Sequence, residues 1–565
     1  MASVDPTRPP VLLLHFTNKA TTPILEFVGQ QLVSSGIIVL HSEVRPSDNG
    51  TFETCLALTA DQSTFETEAD KLAVIKETVE GITDRFSVAE RTNFVGIDEP
   101  NFFTSSEYAQ LLMERLDSIH TKDVSETLTQ LGIDHDSTNN ASLRQTLADS
   151  DILDVVCPIH NVVERDNIMW KCLMPSWSNP LKEIQMYYGE EVGLYFFWVG
   201  RMTDWLCVPA LGGIVLYFAR MYNGDTIDDC ELTPYYGLFM FLWAVCFTRC
   251  YQRDEVRTAF RWGTYQQKLI YDHQQVRSEF HGISRTSPIT GQPERYFPRI
   301  KRVPLYCFSI LVTGVMLIIA FFFMIAFLNL EGYIHPSHNR NRWPLDLDHP
   351  FHIDVLAQLA RPGEIFDPNT NFAFIPVILH IGVIKILNTI YSKIATWLTD
   401  VENHKTEDNY QNSLIIKRFL FEAFDAYVGL FYLACFERDI QKLREELVMI
   451  FLVDTFRRIF LETILPQALQ YIQGKLQQRK LAASDDTTIN PPQLSHLSPH
   501  SRENLEITTN LFEEVMLEEY DTFDDYLEIL IEFGYVTLFA SAYPLAAYIA
   551  AMANVIELRS DSIKL

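Results

Sequence analysis

Basic residues are scarce in this chain. Its 565 residues hold 45 Lys and Arg against 73 Asp and Glu, a formal charge of −28. That deficit argues against nonspecific nucleic-acid binding, which needs a basic surface. Cysteine is sparse as well: nine in the whole chain are too few for a disulfide scaffold. No secretory signal opens the sequence. Met1–Pro10 is polar and proline-rich, and Val11–Phe16 is too short for a cleaved apolar region with its flanks. The N-terminal region has no glycine-rich phosphate loop, His/Cys metal spacing or nucleophile motif, and no paired nucleophile and base or cofactor loop appears elsewhere in the sequence, which argues against an enzyme.

What is present rules out disorder, because 38 Phe and 24 Tyr supply ample apolar surface to bury. The mean hydropathy of +0.01 is that of a soluble protein, yet the apolar residues are not evenly spread. Residues 303–330 are 28 consecutive uncharged residues, longer than the ~20 needed to cross a bilayer. Residues 533–556 give 24 more. Shorter apolar runs at Trp205–Ala219, Leu232–Thr248, Phe372–Ile384, Ala423–Phe436 and Leu447–Phe456 share the same region. Together they predict an α-helical polytopic membrane protein. Loop 221–234 has four acids and no Lys or Arg, whereas 249–302 carries eleven Lys/Arg against five Asp/Glu. The second therefore reads as cytosolic and the first as external, which places the N-terminus in the cytosol.

Residues 1–185 read as a soluble α+β domain. Pro9–Phe16, Ile37–Val44, Phe52–Ala60 and Ile152–Ile159 have strand character; Thr21–Gly36, Thr64–Val79 and Ser105–Ile119 have helical periodicity. The order β-α-β-β-α-β predicts a ferredoxin-like arrangement with extra helices, suited to regulation or assembly. Residues 186–565 form the membrane region, interrupted by a polar segment at 474–520 that reads as a mobile cytosolic loop.

Ionisable groups at or inside apolar spans are costly and usually functional. Glu462 lies near the end of an apolar helix. Asp525 and Glu528 are spaced i, i+3 and Glu557 and Asp561 i, i+4, each pair on one helix face. If 533–556 is one straight helix, the two pairs flank opposite membrane surfaces. If it breaks at Tyr543-Pro544, the rise per residue sets Glu528 and Glu557 roughly 24 and 20 Å from the turn, and Asp525 and Asp561 about 28 and 26 Å. A hairpin thus brings four carboxylates level, and Glu462 can join them. Such a cluster needs protonation or a metal. Calcium suits it, accepting six to eight oxygens in flexible geometry, and two Ca²⁺ would nearly cancel five carboxylates.

These residues resemble the anoctamin family. Tyr526–Asp561 (YLEILIEFGYVTLFASAYPLAAYIAAMANVIELRSD) is similar to the family's seventh and eighth helices, and 387–436 to its fourth and fifth. Tyr188-Gly189-Glu190-Glu191, Arg261-Trp262-Gly263 and SPITGQPERYFP (287–298) add to the likeness, and FFTSSEYAQLLMERLDSI (102–119) is most like the anoctamin-10 branch. The resemblance implies calcium-regulated passive transport of chloride or other ions, of phospholipids, or of both. It implies calcium ligation by Glu462, Asp525, Glu528, Glu557 and Asp561, with Arg458 standing where the family often has Asn. A fixed cation there would compete with Ca²⁺. It also implies a permeation groove from the fourth to sixth helices, here carrying Lys385, Lys393, Lys417, Glu422, Asp425 and Tyr427. Glu422 and Asp425 replace the Lys and Asn common in chloride-conducting relatives, a change that disfavours anion selectivity. Family members have ten membrane helices and dimerise through the last, whereas this sequence stops within the eighth. The resemblance therefore implies a fragment or shortened isoform, with homodimerisation in doubt. The plasma membrane and the endoplasmic reticulum or other endomembranes both suit it. The alternative to a conduit is a non-conducting membrane tether or regulatory subunit.

Overall fold

The computed structural model describes residues 10–46, 52–97, 102–121, 125–133, 142–174, 180–224, 230–264, 280–286, 293–334, 351–359, 375–458, 511–515 and 520–565, with isolated positions between them. Glu462 and nearly all of 474–510 lie outside the described residues.

The N-terminal region is an antiparallel sheet with helices on one face. Its strands are β1 (Leu12–Phe16), β2 (Ile37–Pro46), β3 (Phe52–Ala60) and β4 (Leu153–Pro158), with α1 (Thr22–Ser34), α2 (Gln62–Lys71) and α3 (Ser105–Asp117) packed nearby. The sheet order is β2-β3-β1-β4, with β1 antiparallel to both β3 and β4. That order follows from a split β-α-β unit, in which β3 inserts between β1 and β2. Strand alternation sorts the side chains. Leu12, Leu14 and Phe16 enter the core with α1 and α2, while Leu13 faces the other side with Cys55 and Ala57. A short helix, Leu511–Val515, covers that second face through Leu511 and Phe512. One expectation is corrected here. The helix predicted over Thr64–Val79 runs only from Gln62 to Lys71. The chain leaves it at Ala73, whose φ is 50°, and Ile75–Glu77 pairs with Thr83–Arg85 as a small hairpin. Val74, Ile75, Thr78 and Val79 are β-branched and favour the extended form.

Among the described residues the remainder is mostly helical, apart from a small hairpin that pairs Ile283–Thr286 with Pro293–Tyr296. Its helices include α4 (Leu181–Tyr188), α5 (Glu190–Asn223), α6 (Thr233–Arg261), α7 (Arg299–Leu330), α8 (Ile375–Val401), α9 (Glu407–Phe431), α10 (Ile440–Arg457), α11 (Thr522–Leu538) and α12 (Ala546–Lys564). Gly189 bends the chain between α4 and α5 with a φ of 98°, a value that favours glycine. Helices α5, α7, α8 and the stretch Glu407–Glu437 are long and apolar enough to cross a membrane. The last combines α9 with a π-helical turn at Tyr432–Glu437. Ile310, Leu311 and Phe322 of α7 are exposed, the outward apolar face that a lipid solvent requires.

The apolar run 533–556 is not one helix. α11 ends at Leu538 and α12 begins at Ala546, so the segment turns back around Tyr543-Pro544. Tyr236 of α6 seats this turn, its hydroxyl donating to the carbonyls of Pro209 and Pro544 at 3.0 and 3.2 Å. Gly213 of α5 lies so close to the Pro544 carbonyl that any side chain there would collide with it.

Candidate functional site

Local sequence sets the acids on the hairpin. Asp521 caps α11 by accepting from the Phe523 amide at 2.9 Å. Asp524 and Asp525 occupy its first turn, where the helix dipole favours negative charge. Glu557 and Asp561 fall toward the C-terminal end of α12, where the dipole opposes them, and Lys564 in the last turn compensates. Lys564 reaches Asp561 at 2.8 Å and Asp525 at 3.5 Å, so one ammonium joins the two helices. Tyr195 of α5 donates to Asp561, and Tyr520 donates to Asp525 at 2.8 Å. Burial and the nearby Asp561 and Asp525 carboxylates hold the Tyr520 phenol well above its ordinary range, so it stays a donor.

The second half of the cluster gathers around α10. Arg458 places its guanidinium 2.8 Å from Glu532 and 3.3 Å from Glu557, with all three side chains buried. Glu528 Oε1 meets Lys385 of α8 at 3.0 Å and Arg457 of α10 at 3.1 Å. Its other oxygen is buried without a hydrogen-bond partner among the described residues. Asn554, one turn before Glu557, is fully buried with both amide atoms equally unpartnered among them. The donor set is one of hard oxygens and suits Ca²⁺. The chain's own cations, Lys385, Arg457, Arg458 and Lys564, already lie against its carboxylates.

Beside this cluster is a cavity of about 290 Å³ between α8, α9, α10 and α11. Lys385, Lys393, Glu422 and Asp425 line it, together with Arg418, Arg458 and Glu528. Two residues predicted for a groove lie elsewhere. Lys417 turns to Glu402 at 2.8 Å and to the Thr399 hydroxyl at 3.0 Å, while Tyr427 donates to the Ile531 carbonyl at 2.9 Å. Each satisfies a buried polar group where a helix neighbour supplies one. Within the cavity Arg418 joins Glu422 at 3.2 Å and Asp524 at 2.6 Å.

Residues 184–565 match the profile of a protein family described as "Anoctamin: Calcium-activated chloride channel". The chain belongs to the anoctamin family. Over 507 residues it is 27% identical to human anoctamin-10, an alignment covering 88% of this chain and 69% of that protein. Zebrafish anoctamin-10 is 27% identical over 503 residues, 88% of this chain and 70% of the relative. Human anoctamin-8 is 26% identical over 415 residues, 70% and 30% respectively. As an anoctamin with several helices long enough to span a bilayer, the chain is an integral membrane protein.

In this anoctamin the sequence expectations missed Glu532, Arg457 and Lys564, each in contact with a predicted residue. Glu532 follows Glu528 by four residues and Lys564 follows Asp561 by three, so helical spacing could have found both. Arg457 adjoins Arg458 but points its charge to a different acid, which the sequence does not encode. Also missed was a group at the opposite end of the same cavity, Glu331, His380 and Glu446, whose ligating atoms all lie within 4.8 Å of one another.

Proposed function

We propose that this anoctamin provides a calcium-regulated passive pathway for small ions, phospholipid headgroups or both. One observation carries the reading: Glu528 and Arg458 belong at once to the carboxylate cluster and to the cavity wall. In this reading α5–α12 are the first eight of the family's ten membrane helices, and the N-terminal region up to about residue 185 is a cytosolic regulatory unit. Asp525, Glu528, Glu557 and Asp561, with Glu462, would hold calcium. Bound there, the ion supplies positive charge that the acids otherwise draw from the chain's own basic residues. Lys385, released from Glu528, is then freed on the α8 side of the cavity. Arg457 and Arg458 are freed on the α10 side. Cavity walls of mixed charge, with Lys385 and Lys393 opposite Glu422 and Asp425, suit a zwitterionic headgroup or an ion that sheds part of its water.

Reconstitution into liposomes tests this, following labelled-lipid exchange and chloride efflux with and without calcium. A calcium-stimulated signal in either assay supports the conduit. Silence in both overturns it and favours a membrane tether or regulatory subunit.

A further inference from the structure

At the end of the cavity remote from Arg458, α7, α8 and α10 each bring one ligating side chain to the same place. Glu331 follows the last turn of α7, His380 lies in the second turn of α8, and Glu446 lies in the second turn of α10. Along α10, Glu446 precedes Arg458 by about 18 Å at the helical rise, so this group is separate from the carboxylates of the hairpin. Glu331 Oε1 is 3.6 Å from His380 Nδ1. The Glu331 side chain is only 2% exposed, and neither of its oxygens has a hydrogen-bond partner among the described residues. A buried carboxylate left so is expensive unless something satisfies it. The other two members are held in place. The His380 ring stacks on Phe327 at 4.8 Å and 14°, and Glu446 accepts from the Tyr333 hydroxyl at 3.4 Å.

We propose that Glu331, His380 and Glu446 form a transition-metal site, best suited to Zn²⁺, that ties α7, α8 and α10 together at this end of the cavity. One imidazole nitrogen and two carboxylate oxygens are zinc donors; the nitrogen argues against Ca²⁺ and Mg²⁺, which take oxygen. Zinc bonds of about 2.0–2.2 Å require ligand atoms roughly 3.3 Å apart, close to the 3.6 Å found between Glu331 and His380. Three protein ligands leave a fourth position for water. Tyr333 would orient Glu446 as an outer hydrogen bond orients a metal ligand, while Phe327 fixes the plane of the His380 ring by stacking. A metal here would fix the spacing of three helices that border the cavity, and so its width at that end. Zinc binding would stand whether or not the cavity conducts.

The test uses the full chain purified in detergent, stripped with chelator and with its cysteines alkylated, titrated with Zn²⁺ by calorimetry and with Co²⁺ by absorption. The expected result is one saturable site. Its Co²⁺ spectrum should be that of a four-coordinate ion, without the sulfur charge-transfer band of thiolate ligation. His380→Ala should weaken binding by more than the roughly 10- to 100-fold that loss of an outer partner costs. Glu331→Gln should weaken it similarly, so one poorly folding variant does not void the test. Glu528→Gln, in the other cluster, should leave zinc affinity unchanged. Absence of a saturable site, as when the three groups merely share a proton, overturns the proposal. So does a site that survives both His380→Ala and Glu331→Gln.

Discussion

Arg458 is 4% exposed and faces Glu532 and Glu557, two carboxylates equally withdrawn from solvent. Removing one partner of a buried ion pair costs about 3–5 kcal/mol, because the other is left uncompensated. Arg458→Asn should therefore lower the thermal stability of the calcium-free protein. It should also remove a charge that repels calcium. At an effective dielectric constant of 20, a unit charge about 4 Å away is worth ~4 kcal/mol. Even after rearrangement, the calcium midpoint should fall at least about tenfold, measured by calcium-dependent thermal shift and by flux. Equal calcium dependence in wild type and Arg458→Asn would sink this account. Glu532→Gln in the Arg458→Asn background should recover part of the lost stability, since it removes the acid left without its guanidinium. The spacing of Asp525, Glu528, Glu557 and Asp561 was legible in the sequence because a helix fixes i, i+3 and i, i+4 neighbours. The partner of Arg458 was not, because Glu532 is 74 residues away.

Two elements gain their meaning only from what they press against. Leu511–Val515 covers the outer face of the N-terminal sheet, a few residues before α11 begins. Phe512 is 2% exposed there, and its ring meets that of His15 edge-on at 5.9 Å. Burial under this helix, with Glu514 nearby, pushes the Cys157 thiol up to about 11. The thiolate is the reactive form, so Cys157 alkylation should be slow at neutral pH and climb about tenfold per pH unit until pH approaches that value. Phe512→Ala should expose the thiol and bring the plateau down toward the free-cysteine value of about 8.5. An unchanged pH profile would mean that the helix does not seal the sheet. The hairpin turn is the second case. Gly213→Ala drives a methyl into the Pro544 carbonyl, and overpacking of this kind costs about 1–3 kcal/mol. A matching loss of thermal stability is expected, whereas an unaffected melting temperature would show that α5 does not seat the turn. Apolar periodicity located α1 and α3 closely but overextended α2. The pairing of Ile75–Glu77 with Thr83–Arg85 is a local hairpin, in which the β-branched residues after Ala73 prevail over the apolar spacing that suggested a longer helix.

Across the whole molecule, several polar ties join the hairpin to the helices around the cavity, among them Lys385 to Glu528, which crosses from α8 to α11 at 3.0 Å. Lys385 is about half exposed, and a pair of that exposure is worth about 0.2–1 kcal/mol. Lys385→Met should therefore raise calcium-free flux by at most about fivefold, the conversion of that energy at room temperature. A fall in basal flux would contradict a closing role for this tie.

Composition and helical spacing alone give the apolar spans and the pairing of acids on one helix face, but they leave open whether 533–556 runs straight; α11 and α12 show that it turns back at Tyr543-Pro544. Proline does not settle that point, since Pro209 and Pro304 sit inside α5 and α7. Helix packing decided that Lys385, Arg457 and Arg458 meet those acids, that Lys417 and Tyr427 bond to Glu402 and Ile531, and that Glu331, His380 and Glu446 converge. Those outcomes rest on distances between helices far apart along the chain, as with the 39 residues between Asp525 and Lys564. Electrostatic energy depends on separation in space and on burial, and the packing of helices sets both.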